Sequence, residues 1–338
     1  MIARNRTSEL EDKAKVLLLV PYYGHSTVRS LLKDIDRGRA SVVTYLFNET
    51  KGDSGNFEEP DVTEYVSSYS EDRNAFDISP EHERAHVRDL MGVVRSEGID
   101  VMIPTKEKYV SFLARNSHIF GDKLFLPSEE VVDVLQDKAN GYDFFKVRGV
   151  SVPDFVRFKH GDLSGLKTLL SKHGSVFVKP SNESGGKRAY EVGSVDQFRE
   201  LYGEDSGELL ACEVLNLPEF NHTALIQDGS IQVQATYECP GSTKLGAYPR
   251  KVFEDPRIDA FAEQICDTLV AEYGVVDSQG VYNIDFLTRD NGDYVLSEVN
   301  VGRLPGGHGI FTPYGLNFSN SIVDCTLKDS RIRTTTYQ

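Results

Sequence analysis

The residues with the most specific chemistry are Asn283-Ile284-Asp285-Phe286-Leu287, a turn at Asp290-Asn291-Gly292-Asp293, and Tyr294-Val295-Leu296-Ser297-Glu298-Val299-Asn300. The Asn-Gly pair predicts a hairpin. The period of two along each strand then places Asp285 opposite Glu298, with Asn300 on the same side. Two carboxylates and an amide at this spacing are hard oxygen donors suited to magnesium, with manganese as an alternative. Such an ion keeps its remaining positions for water and nucleotide phosphates. The same pattern also fits a solvated polar face.

A second group follows the apolar strand Val176-Phe177-Val178. Lys179 ends that strand and Pro180-Ser181-Asn182-Glu183-Ser184-Gly185-Gly186-Lys187 follows it, which can bring an ammonium and free backbone N–H groups onto phosphate oxygens. No G-x-x-x-x-G-K-[ST] pattern is present, and an exposed hairpin turn is the plainer alternative. Leu209 to Leu215 is an apolar strand with an acid, Glu213, near its end. Open backbone at Val214 and Leu215 suits an adenine edge, with Glu219 reaching ribose hydroxyls; a simple strand and turn fits as well. Arg250, after a Gly-Ala-Tyr-Pro turn, and Arg303, after the acidic hairpin, suit charge stabilisation on a transferring phosphoryl group. Taken singly they also read as surface ion pairs.

The elements that must position these residues fall into two grammars. Lys15 to Val20 is a short aliphatic run that fits a buried parallel strand, followed by a helix from near Ser26. Further strands are expected at Ser41 to Phe47, Val62 to Tyr69 and Ile99 to Pro104. Ser79-Pro80-Glu81 opens a helix to about Ser96 that Gly98 closes. Residues 15–126 thus predict an open, doubly wound α/β unit. From Pro127 the pattern becomes α+β. Ser128-Glu129-Glu130 opens a helix carrying Asp137 and Lys138, Asp162 caps a helix to about Lys172, and Ser194-x-x-Gln197 is a capping box. From Leu209 a second antiparallel sheet is expected, including Ser230 to Tyr237 and Val281 to Leu287, with a long helix from Pro256 to Tyr273.

Composition excludes several classes. The 338 residues are 39% hydrophobic and 26% charged, the balance of a globular chain. No apolar run approaches the roughly 20 residues that span a bilayer, and residues 1–14 read as a polar tail with no signal-peptide core. A net charge of −15 opposes nucleic-acid binding. The widely spaced Cys212, Cys239, Cys266 and Cys325 suggest neither a zinc nor a redox motif, which points to a cytoplasmic, reduced protein. The first turn lacks G-x-G-x-x-G, which disfavours an NAD-binding reading.

The order of the motifs decides among these readings. Asp137-Lys138, Val178-Lys179-Pro180 with its Gly-rich loop, Glu213-Val214-Leu215, Glu219, Arg250, Asp285, and Glu298-Val299-Asn300 with Arg303 resemble the ATP-grasp superfamily. The likeness is to its carbamoyl-phosphate-synthetase-like and biotin-carboxylase-like members, over Val16 to Asp324. The resemblance implies a Rossmann-like (pre-ATP-grasp) domain at 15–126, a small ATP-grasp lobe with a lid at 127–208, and a C-terminal lobe with the magnesium site at 209–338. ATP would lie between two antiparallel sheets. It implies that Lys138, Lys179 and the loop with Ser184, Gly185 and Gly186 contact the phosphates. Glu213, Val214 and Leu215 would hold adenine, Glu219 the ribose, and Asp285, Glu298 and Asn300 the magnesium. Arg250 and Arg303 would stabilise the transferring group. The family pattern Glu-x-Asn-Pro-Arg is altered here, since Val301-Gly302 places Arg303 one residue later.

The activity so implied is that of an ATP-dependent carboxylate–amine ligase working through an acyl phosphate and releasing ADP and phosphate. A carboxylase or kinase-like enzyme, or a non-catalytic nucleotide-binding module, would share the same nucleotide residues. Its partners would be a small-molecule carboxylate and an amine, with neither nucleic acid nor membrane, and a homodimer is left open. Because ligands sit outside the carboxyl ends of parallel strands, Tyr22-Tyr23-Gly24-His25-Ser26 and Thr105-Lys106-Glu107 should face the substrate. His25, Lys106 and His308 of the Pro305–Gly309 loop are the candidate contacts; His25 equally suits a helix-capping role.

Overall fold

The computed structural model describes residues 13–21, 25–47, 62–67, 69, 71, 77–180, 188–203, 207–241 and 250–327. Strands β1 (Ala14–Val20), β2 (Ala40–Leu46), β3 (Val62–Val66) and β4 (Val101–Pro104) form a parallel sheet in the order β3-β2-β1-β4. Helices α1 (Ser26–Asp34), α2 (Pro80–Glu97) and α3 (Glu107–Arg115) flank it, and the short α4 (Ser117–Phe120) follows. Val16, Leu18 and Val20 of β1 pack with Val28 and Leu31 of α1, whereas Leu17 and Leu19 pack with Leu90 of α2 and Phe112 of α3. A strand covered on both faces must be aliphatic throughout, which is why this run does not alternate. Each such side chain contributes about 1.5–3 kcal/mol of burial.

Two helices, α5 (Glu129–Gln136) and α6 (Lys138–Lys146), stand where the sequence reads as one. Asp137 leaves helical geometry (φ −90, ψ 114) and caps α6, its carboxylate accepting from Asn140 N at 2.8 Å. The break re-aims Lys138 as the first residue of a new helix.

A small antiparallel sheet holds β5 (Phe155–Lys159), β6 (Val176–Pro180), β7 (Tyr190–Val192) and β8 (Glu208–Glu213) in the order β5-β8-β6-β7. Leu166 and Leu169 of α7 (Ser164–His173) and Phe198 of α8 (Val195–Tyr202) cover it. The capping box forms with a shift. Ser194 Oγ accepts from Gln197 N at 3.1 Å, while Gln197 Oε1 accepts from Gly193 N, one residue before the reciprocal position.

The large antiparallel sheet runs β11-β10-β9-β12-β13, from β9 (Asn216–Gln227), β10 (Ser230–Cys239), β11 (Lys251–Phe253), β12 (Gly280–Thr288) and β13 (Tyr294–Val301). Its apolar face, including Phe220, Ile226, Ile284, Phe286 and Val299, packs on Ile258, Ala262, Ile265 and Leu269 of α9 (Pro256–Asp277). Alternation sends Glu219, Asn221, Thr223, Asn283 and Asp285 to the other face. A 3-10 segment, His308–Tyr314, and α10 (Phe318–Thr326) then return to the parallel sheet, where Phe311, Phe318 and Ile322 pack with Val28 and Leu31. The segment 308–326 therefore packs with the first sheet, which the sequence reading did not foresee. Among the described residues no helix is long and apolar enough to cross a membrane.

Candidate active site

Tyr237, Asn221, Asp285 and Glu298 are register partners in one row across β10, β9, β12 and β13. Directly paired residues share a face, so this row is the polar strip that the hairpin motif predicts. Asn221 Nδ2 donates to Asp285 Oδ1 and to Glu219 Oε1, both at 2.9 Å. Thr223, Asn283 and Asn300 form the neighbouring row, and Thr223 Oγ1 donates to Asn283 Oδ1 at 3.1 Å. The register slips between Asp285↔Glu298 and Phe286↔Leu296, leaving Ser297 as a bulge. Tyr142 OH of α6 donates to the Ser297 carbonyl at 2.5 Å, and the docked helix brings Lys138 Nζ to 2.9 Å from Glu298 Oε1.

Burial, then the charges of Glu219 and Glu298, push the Asp285 carboxyl well above the usual carboxylate range. Burial raises Glu219 as well. Burial also pushes Glu298 upward, but Lys138 and Lys179 outweigh it and hold the carboxyl below its ordinary value. The strip thus carries more negative charge than its lysines offset, the condition a bound cation relieves. Its carboxylates are spread along the strands and do not form a compact cage. That spacing fits magnesium, which takes one or two protein carboxylates and fills its shell with water and phosphate oxygens. Asp285, Glu298 and Asn300 offer that donor set.

The two antiparallel sheets are joined at Val214 and Leu215, between the end of β8 and the start of β9. Val214 is 43% exposed, unusual for valine and consistent with an open edge at the link. Glu213 is fixed from across that link, for Arg289 donates to Glu213 Oε1 through Nε at 3.0 Å and Nη2 at 2.7 Å, and to the Val152 carbonyl at 3.0 Å. Lys179 leaves β6 with its Nζ 5.8 Å from the Tyr142 ring centroid, and its charge acts on Glu298 and Glu219. Cations on the small sheet and α6 therefore face acids on the large one. Glu219, read as a ribose contact, shares the Asn221 amide with Asp285 and belongs to the acidic strip.

The arginines divide. Arg303 is ion-paired with Glu107, the first residue of α3, and its Nη2 lies 3.5 Å from Asn300 Oδ1. Burial pushes the Glu107 carboxyl up, but Arg303 outweighs it and lowers it. In this structure Arg303 braces the hairpin against α3. Arg250 is exposed, with its guanidinium 5.3 Å from the Tyr237 ring centroid, at one end of the polar row. It lines a cavity of about 320 Å³ with Ser30, Lys33, Asp34, Gly306 and Gly307. The Arg250 guanidinium packs closely over Gly307, where an added Cβ would stand 2.8 Å from Arg250 Cζ. Asp34, in this cavity wall, has its Oδ2 3.6 Å from His308 Nε2, and that oxygen makes no hydrogen bond among the described residues.

His308 does not meet the expectation of a substrate contact. It is 1% exposed, with Nδ1 2.7 Å from the Pro305 carbonyl and Nε2 3.2 Å from Ser319 Oγ, behind the cavity wall. The following 3-10 turn folds it inward instead of leaving the glycine-rich loop open. His25 and Lys106 occupy the N-cap positions of α1 and α3, and neither makes a side-chain cap bond. Ser184, Gly185 and Gly186, and Tyr22 to Gly24 of the first loop, lie outside the described residues. The sequence reading missed Asn221, Arg289 and Tyr142. Asn221 was within reach, because Glu219-x-Asn221-x-Thr223 alternates with Phe220-x-His222-x-Ala224.

This arrangement, a doubly covered parallel sheet followed by two facing antiparallel sheets, is the ATP-grasp fold. The L-amino acid ligase from Bacillus licheniformis superposes with a TM-score of 0.67 at 15% identity, over 93% of this chain and 74% of that one. The D-alanine–D-alanine ligase from Bacillus anthracis, solved with ATP, gives 0.60 at 13%, over 94% and 98%. The vancomycin B-type resistance protein VanB of Enterococcus faecalis is 27% identical over 196 residues, 53% of this chain and 54% of that protein. The match thus spans about half of that relative's length. No protein-family model matches the chain.

Proposed function

We propose that the protein is an ATP-dependent carboxylate–amine ligase that forms an acyl phosphate and releases ADP and phosphate. The observation that carries this reading is the opposition of Lys138 and Lys179 to the Glu219–Asp285–Glu298 strip across two facing sheets. Residues 127–208 and 209–338 would be the two lobes of the ATP site and 15–126 the domain beside it. Magnesium would be held by Asp285, Glu298 and Asn300, where it would neutralise the phosphates. Lys138 and Lys179 would bind the β- and γ-phosphates, and adenine would sit at Val214 and Leu215.

Arg250 would orient the substrate carboxylate. One of its oxygens attacks the γ-phosphorus as the bond to ADP breaks; the amine then attacks the acyl carbon, phosphate leaves and the nitrogen loses a proton. A carboxylate beside Arg250 and an ammonium beside Asp34 would suit an α-amino acid. The four cysteines are free and buried, in accord with a reducing, cytoplasmic setting.

The test replaces the amine with hydroxylamine. With ATP, magnesium and a panel of amino acids and other carboxylates, the expected products are a hydroxamate and equal amounts of ADP and phosphate. Release of AMP and pyrophosphate with a verified substrate would overturn the proposal.

A further inference from the structure

A separate cluster lies against the parallel sheet, away from the acidic strip. His82 and His86 are one turn apart on α2 and share a face. Glu71 reaches between them, its Oε1 3.1 Å from His82 Nδ1 and 2.9 Å from His86 Nε2. The three ligand atoms all lie within 4.8 Å of one another. Two nitrogens and one carboxylate oxygen form the donor set of an open zinc site. Ligands about 2.0–2.1 Å from a tetrahedral zinc stand about 3.3 Å apart, and both Glu71–histidine distances are already within a few tenths of an ångström of that spacing.

The outer contacts hold the ligands in that arrangement. Ser79 N donates to Glu71 Oε2 at 3.0 Å, which leaves Oε1 to the histidines. His86 Nδ1 lies 3.3 Å from Ser67 Oγ and 3.4 Å from Tyr45 OH, partners of the kind that fix the far nitrogen of a metal-binding imidazole. The side chains of Glu71 and His86 are 1% and 0% exposed, whereas His82 is 29% exposed and opens a path from solvent. Charge points the same way. Among the described residues no lysine or arginine is paired with Glu71. The other compact cluster, Asp154, His173 and Glu213, differs because Lys172 and Arg289 already neutralise its acids.

We propose that Glu71, His82 and His86 bind a zinc-class divalent cation, with solvent completing the shell beside His82. The ion pins residue 71 to α2 and is independent of nucleotide. Metal-stripped full-length protein is titrated with zinc against a chromophoric chelator, and with cobalt for its visible d–d bands. The background carries Asp285→Asn and Glu298→Gln, so that the acidic strip takes no metal. One equivalent is expected in this background, with binding weakened about a hundredfold or more by His82→Ala. His86→Ala risks unfolding a buried site, so the half-exposed His82 is the deciding position, checked by native far-UV dichroism. Equal zinc uptake with and without His82, or no uptake in the background that competes with the chelator, would overturn the proposal.

Discussion

Lys138 Nζ lies 2.9 Å from Glu298 Oε1, and this pair links α6 directly to the acidic strip of the large sheet. The lysine is 10% exposed and the glutamate 30%, so the pair is only partly screened by water. Without nucleotide and metal, Lys138 offsets charge that Asp285 and Glu219 oppose.

Lys138→Met should therefore lower the melting temperature of the nucleotide-free protein by several degrees, for a loss of about 1–2 kcal/mol. Magnesium with a non-hydrolysable ATP analogue should narrow that gap. Glu298→Gln should lower the melting temperature as well, because Lys138 and Lys179 hold this carboxyl charged below its ordinary value, while kcat falls about a hundredfold or more with the loss of a metal ligand. Calorimetry and initial rates on the same preparations check both; a fully active Glu298→Gln would contradict the assignment.

Arg289 and Glu213 tie the hairpin to the end of the small sheet next to the link at Val214. Glu213 is 9% exposed and Arg289 35%. Arg289→Leu strands a buried carboxylate, at a cost of about 2 kcal/mol after allowance for the exposed arginine. Arg289→Leu with Glu213→Gln should recover about half of it. A double-mutant cycle by urea unfolding measures the coupling, and purely additive effects would show that the bridge is incidental. The KM for ATP should rise in both single variants and kcat should change little, since the pair positions the link without touching the transferred group.

The parts legible in the sequence are those written in local periodicity. Asp285 opposite Glu298 follows from alternation about an Asn-Gly turn, and the unbroken aliphatic run of β1 follows from burial on both faces. The break at Asp137 has a local signal, since Asp favours an N-cap over a helix interior and here accepts from Asn140 N, but it is a single residue between two helical stretches. The bulge at Ser297 is a property of backbone pairing, with no side-chain signal. The inward turn of His308 and the return of α10 depend on packing against α1, nearly 300 residues earlier in the chain, which no local pattern encodes.

Gly302 is where the hairpin passes under α3. Its φ is +78, its N–H donates to the Val281 carbonyl at 2.7 Å, and a Cβ would stand 2.5 Å from Val110 Cγ1 and 3.0 Å from Leu126 Cδ2. Gly302→Ala should cost about 1–2 kcal/mol for the backbone conformation and about 1–3 kcal/mol more for overpacking. Gly292 is the control, since its φ is +81 and nothing lies within 4 Å of its added Cβ. Urea unfolding should place Gly302→Ala well below Gly292→Ala; equal losses would mean that the contact with α3 yields freely.

Asp255 provides a pH-dependent test of how α9, the helix behind the site, is held. It caps that helix, with Oδ1 accepting from Arg257 N and Oδ2 from Tyr294 OH, both at 2.9 Å. The hydrogen bond from the Arg257 side chain is the largest influence; burial opposes it, and the Arg257 N–H, the Tyr294 hydroxyl and the Arg257 charge add to it, so that the carboxyl falls from 3.8 to about 2. A depressed folded-state value means that the charged form stabilises the fold above the unfolded value near 4, and that this contribution fades as pH falls toward 2. At pH 7 Asp255→Ala should lose about 1 kcal/mol, the usual worth of an N-cap. The gap between wild type and variant should hold from pH 7 to about 5 and shrink below about 4. Asp255→Asn keeps an acceptor without the charge, so its stability relative to the alanine variant should not change over the same range. Urea unfolding of the three proteins at pH 7, 5, 4 and 3 checks this, and a wild-type advantage over alanine undiminished at pH 3 would show that the cap acts through hydrogen-bond geometry alone.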